Sequence, residues 1–200
     1  VMQDVLGTSQ VLIKQITIPG ATPGSWPTEG VTLRDDAGRF PAGLAAVAGC
    51  TDDSSGCIVL VAGSIPIDPF HQQFVLILFR LLPDGSRDPR WPPAGLTLTE
   101  DGAVDAGPNP LLPDRAGGAY ISWRSSSSSP EGPPRVILQH VDRNGSVHPS
   151  WDPQGKQAMP SVTDWLQWQP SMATNTQGDL ALLLETNLET MRMKVFSSEG

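Results

Sequence analysis

The chain has 200 residues but only two cysteines, three histidines and one tyrosine. Charged residues make up 17% of it. Each scarcity excludes something. With His71, His140 and His148 as the only histidines, and no CxxC or HxxxH spacing, a zinc centre has no ligand set. Thirteen basic residues, thinly spread against a net charge of −8, leave no basic stripe for a phosphate backbone, so nucleic acid is not an expected partner. No stretch of about 18 apolar residues occurs, so no span of a membrane by a helix is expected. No leader peptide is visible at Val1. Neither a G-x-S-x-G elbow nor an assignable Ser/His/Asp set is present, and nucleophilic catalysis has no signature.

What the chain does have is glycine and proline, twenty of each, and a repeat. Leu82-Pro83-Asp84-Gly85-Ser86-Arg87-Asp88-Pro89-Arg90-Trp91 is echoed by Asp142-Arg143-Asn144-Gly145-Ser146-Val147-His148-Pro149-Ser150-Trp151. Gly85 and Gly145, Trp91 and Trp151, and Gly95 and Gly155 all stand 60 apart. An upstream copy keeps Gly20, Trp26 and Gly30 at the same internal spacing, and Val195 to Gly200 resembles the approach to Gly85. A period of this length reads as a repeat architecture.

Short apolar runs precede the turns: Val11 to Ile18, Phe74 to Leu82, Arg135 to Val141 and Met191 to Phe196. A second series begins at Gly56, Gly117 and Gly178, 61 apart. Weaker strands are expected at Leu44 to Ala48, around Leu111-Leu112 and at Ser171 to Thr174. A last series is expected at Val31 to Leu33, Leu96 to Thr99 and Lys156 to Met159. Branched residues and turn punctuation favour strands over helices throughout. The expected fold is all-β: propeller-like blades of about four antiparallel strands, in roughly three repeats of 55–65 residues over the single region 1–200. Ile65 to Gln73, Ser125 to Ser129 and Asn187 to Thr190 read as loops of variable length on one edge.

Within this frame Gly20, Trp26, Gly30, Asp84, Gly85, Trp91, Gly95, Asn144, Gly145, Trp151 and Gly155 are structural. The tryptophans pack at blade corners. Asp84 and Asn144 fold back on their own backbone as in Asx turns. Cys50 and Cys57 flank a hairpin loop and pair as a disulfide if their Cα atoms lie within about 7 Å; an acidic, Gly/Pro-rich chain with one such pair suits an oxidising compartment. Asp52-Asp53 and Asp35-Asp36 are candidate Ca²⁺ ligands or solvated turns. Asp164, Trp165, Gln167 and Trp168 could present an aromatic and amide platform for a sugar or a partner, with core packing as the alternative.

Phe74 to Trp91, an apolar strand ending in Arg followed by Asp-Gly-Ser, Asp-Pro and an aromatic, resembles the signature of the delta-sixty repeats, bacterial propeller-type repeats of this period. Gly56 to Ser64 resembles that family's other strand. The resemblance is good from about Ala45 to Gly95, fair from Gly117 to Gly155 and weak elsewhere. Cys57 departs from the usual Lys, Trp91 and Trp151 from the usual Phe, and His148 from the Asp found at position 88. The resemblance implies a propeller, an exported or cell-surface location with the periplasm as an alternative, and no activity. A propeller typically closes with about four to eight blades, so three periods imply self-association, another propeller chain, or a chain processed or cut from something longer. The expected function is a non-catalytic scaffold for adhesion, assembly or recognition. The alternatives are a carbohydrate-active propeller, hydrolase or lyase, with a glycan ligand, and a calcium-stabilised binding module.

Overall fold

The computed structural model describes residues 2–3, 9–13, 26–33, 42–50, 57–68, 71–98, 111–125, 135–158, 170–187 and 190–198. These residues form fourteen strands and no helix. The first sheet holds β1 (Met2–Gln3), β2 (Ser9–Ile13) and β3 (Val31–Leu33). The second holds β4 (Ala42–Cys50), β5 (Cys57–Asp68), β6 (His71–Leu81) and β7 (Leu96–Thr97). The third holds β8 (Leu111–Pro113), β9 (Ala119–Ser125), β10 (Arg135–Val141) and β11 (Lys156–Gln157). The fourth holds β12 (Ser171–Thr174), β13 (Leu180–Asn187) and β14 (Thr190–Phe196). Every sheet is an antiparallel meander in chain order.

Register carries the repeat into three dimensions. Leu78 pairs with Leu96 on β6–β7, Leu138 with Lys156 on β10–β11, and Ile13 with Val31 on β2–β3. Counted from the turn glycines, these are one position in three copies.

Strands β6 and β10 carry buried side chains on both faces because their sheets each lie between two others. Along β6 the side chains divide with period two. Leu76 and Leu78 join Trp91, Ala119, Ile121 and Trp123 against the third sheet. Ile77, Phe79 and Leu81 join Leu33, Val59 and Trp26 against the first. One repeat later Val136 and Leu138 meet Leu180, Leu182 and Phe196 of the fourth sheet. Each fully buried aliphatic side chain contributes about 1.5–3 kcal/mol, so the cores between sheets hold the structure together.

The repeated tryptophans lock successive repeats to one another. A Cβ on Gly85 would lie 3.2 Å from the ring of Trp26, and one on Gly145 would lie 2.7 Å from the ring of Trp91. Each tryptophan therefore covers the turn glycine of the repeat that follows, which explains why both residues recur together. Trp91 and Trp151 are buried, as expected of packing residues. Gly20 and Gly200 lie outside the described residues.

Two expectations need correcting. The stretch from Ile65 to Gln73 is not a loop: β5 and β6 run on as a long hairpin, pairing Ile65 with Gln73 and Asp68 with His71. Asn187 and Thr190 likewise pair directly. The alternating polar and apolar residues there satisfy a strand as well as they satisfy a loop. Residues 126–129 of the serine run lie outside the described residues.

Candidate functional site

The turns on one edge of the sheets are built by carboxylates. Asp84 Oδ1 accepts hydrogen bonds from Ser86 N at 2.9 Å and Ser86 Oγ at 2.6 Å, and the hydroxyl bond holds its carboxyl below the usual range. In the next repeat the capping residue is Asp142, which accepts from Asn144 N and Ser146 N at 2.8 and 3.0 Å. Asn144 is thus not the capping side chain expected from sequence. The two repeats place the capping oxygen at different positions of the same turn.

Behind these turns lies a line of buried polar groups. In the second sheet it is Arg80, almost fully buried. Its Nε stands 3.3 Å from Asp88 Oδ2, and its Nη1 donates across the sheet interface to Gly117 O and, at 3.5 Å, to Arg143 O. Asp88 also receives Arg90 through Nη2 at 2.6 Å. That hydrogen bond outweighs burial and lowers the Asp88 pKa.

Sixty residues on, His140 stands where Arg80 stood and His148 where Asp88 stood. His140 Nε2 lies 2.8 Å from Asp114 Oδ2, both side chains 5% exposed. The Asp114 carboxylate also accepts from Ala116 N at 2.7 Å and Gly118 N at 2.8 Å. Burial opposes its charge, but the bonds from His140, Ala116 and Gly118 prevail and its pKa is lowered. An ionised Asp114 can only accept, so His140 Nε2 carries the proton between them. The His140 ring is stacked between Tyr120, 4.3 Å away, and His148, 4.6 Å away. His148 Nδ1 lies 2.8 Å from Ser150 Oγ. Tyr120 donates from its hydroxyl to Gly178 O at 2.9 Å, the carbonyl that corresponds to Gly117 O.

These residues enclose a pocket of about 420 Å³ between the third and fourth sheets, lined among others by Asp114, Asp142, His140, His148, Gly178 and Ser198. A histidine held by a carboxylate is half of a hydrolytic triad. Among the described residues no nucleophile is paired with it: His140 Nδ1 is buried and has no hydrogen-bond partner there. The pocket brings carbonyl and carboxylate oxygens beside stacked planar rings.

The pocket residues are not those expected from sequence to bind or ligate. Asp52 and Asp53, Asp35 and Asp36, and Asp164, Trp165, Gln167 and Trp168 all fall outside the described residues. No cluster of three or more metal-ligating side chains occurs among the described residues. Cys50 and Cys57 are direct cross-strand partners on β4–β5, and no described cysteine is free. Sequence reasoning missed Arg80, Asp114 and the role of Tyr120. The substitution of His148 for Asp88 was the one visible pointer. Followed back eight residues to His140 and Arg80, it leads to the pocket.

The chain matches no protein-family model, no curated protein and no solved structure.

Proposed function

We propose that the chain is a non-catalytic β-propeller-type scaffold, exported or displayed at a cell surface, that serves adhesion, assembly or recognition. One observation carries the reading. Met191, Met193 and Val195 on β14 are 66, 69 and 60% exposed. By count from the turn glycine they correspond to Leu76, Leu78 and Arg80, and to Val136, Leu138 and His140, all of which are buried against the following sheet. The fourth sheet therefore presents an interface of the kind its predecessors use, and a further sheet of the same repeat is the surface that fits it. We assign that sheet to a second copy of the chain, with another propeller chain or a further segment of the same polypeptide as the alternatives. The cross-strand pairing of Cys50 with Cys57 supports a disulfide across the β4–β5 hairpin and an oxidising compartment.

The test is the mass of the chain in solution by light scattering. The wild type is expected to be larger than one chain, and Met193→Glu to revert to a folded single chain, since a charge in that stripe would have to be buried unpaired. A wild type that stays monomeric at high concentration, with β14 protected from hydrogen exchange, would refute self-association.

A further inference from the structure

We infer that the pocket between the third and fourth sheets binds a guanidinium group. The repeat itself contains the template. Among the partners of Arg80 are Asp88, Gly117 O and Arg143 O. One repeat further along the chain, the residues at those places are His148, Gly178 and Ser198. All three line the pocket. The residue that would fill it, by the same count, is His140. An imidazole is shorter than a guanidinium-bearing side chain and here turns to Asp114 instead. The space that Arg80 fills in one interface is thus a pocket in the next.

The lining suits a planar cation. Gly178 O accepts one hydrogen bond from Tyr120 and has a second lone pair to offer. The carboxylates of Asp114 and Asp142 line the same space. The ring of His148 supplies a flat surface against which a guanidinium stacks. At about 420 Å³ the pocket lies in the range of about 300–1,000 Å³ usual for small ligands, so it takes more than the guanidinium alone. Exposed Arg143 at the same pocket favours a ligand carrying a carboxylate at its far end, as free arginine does. An arginine side chain of a partner offers the same guanidinium without that carboxylate.

Titration of the chain with L-arginine, L-citrulline and an end-blocked arginine tripeptide, followed by calorimetry and two-dimensional NMR, decides the matter. L-Arginine is expected to bind saturably, with shifts centred on Tyr120, His148 and Gly178. Citrulline, which has the same shape but no charge, is expected to bind at least about tenfold more weakly, because its hydrogen bonds are not charge-assisted. Tripeptide binding equal to that of arginine identifies a partner's side chain as the source; tripeptide binding that is weaker identifies the free amino acid. The double variant His140→Arg with His148→Asp rebuilds the arrangement of the preceding repeat, fills the pocket from within and is expected to lose binding while keeping its near-ultraviolet circular dichroism. If that variant does not fold, His140→Arg alone serves. Absence of saturable arginine binding, equal affinity for citrulline, or undiminished binding by a folded filled-pocket variant would each overturn the assignment.

Discussion

The interface between the second and third sheets and the interface between the third and fourth sheets are copies of one design, yet they are tied by different atoms. In the first, Arg80 on β6 reaches over to the carbonyl of Gly117. In the second, the corresponding carbonyl of Gly178 is met by the hydroxyl of Tyr120 on β9. The residue opposite Tyr120 in the earlier repeat is Val59, apolar and buried, so where Arg80 serves, the β5 position needs no donor. Where the arginine is replaced by His140, a donor appears on the neighbouring strand. The carbonyl keeps a partner in both cases, as a buried acceptor must. The repeat conserves the hydrogen bond across the interface and not the residue that makes it.

The largest expected effect breaks the first tie. Arg80→Leu leaves the buried Asp88 carboxylate with Arg90 alone and removes two cross-sheet bonds. The expected loss is about 3 kcal/mol, the lower end for splitting a buried pair, measured by urea denaturation. Next come two glycine substitutions that separate packing from backbone strain. Gly145 and Gly178 both have positive φ, 76° and 88°, so alanine strains either backbone. Only at Gly145 does the new Cβ also meet a tryptophan, at 2.7 Å; at Gly178 the nearest atom is 3.6 Å away. Gly145→Ala is expected to cost about 2 kcal/mol and Gly178→Ala about 1. Equal costs would show that the tryptophan yields. The smallest effect tests the second tie. Tyr120→Phe removes one neutral hydrogen bond and is expected to cost about 1 kcal/mol, with faster hydrogen exchange in the fourth sheet than in the second.

The strands and turns were legible in sequence because glycine, tryptophan and proline recur at fixed spacing, and a turn needs a particular residue at a particular place. Strand β10 falls where its apolar run puts it, and β12 where the weaker strand was expected. The hairpin extension through Ile65 was not legible, since paired backbone needs no distinctive side chain. The site was half legible. His148 in place of Asp88 is visible by aligning the copies. The Tyr120 bond to Gly178 joins residues 58 apart, and Tyr120 stands where the earlier repeat has Val59, so no periodicity announces the donor. The shift of the cap from Asp84 to Asp142 escaped because an Asx turn accepts its oxygen from more than one nearby position.

The tryptophan that covers the next repeat's turn has a consequence for synthesis. Trp91 leaves the ribosome 54 residues before Gly145, so the contact between them forms only once the following turn has been made. The units that hold Trp26 and Trp91 are thus each finished by their successor.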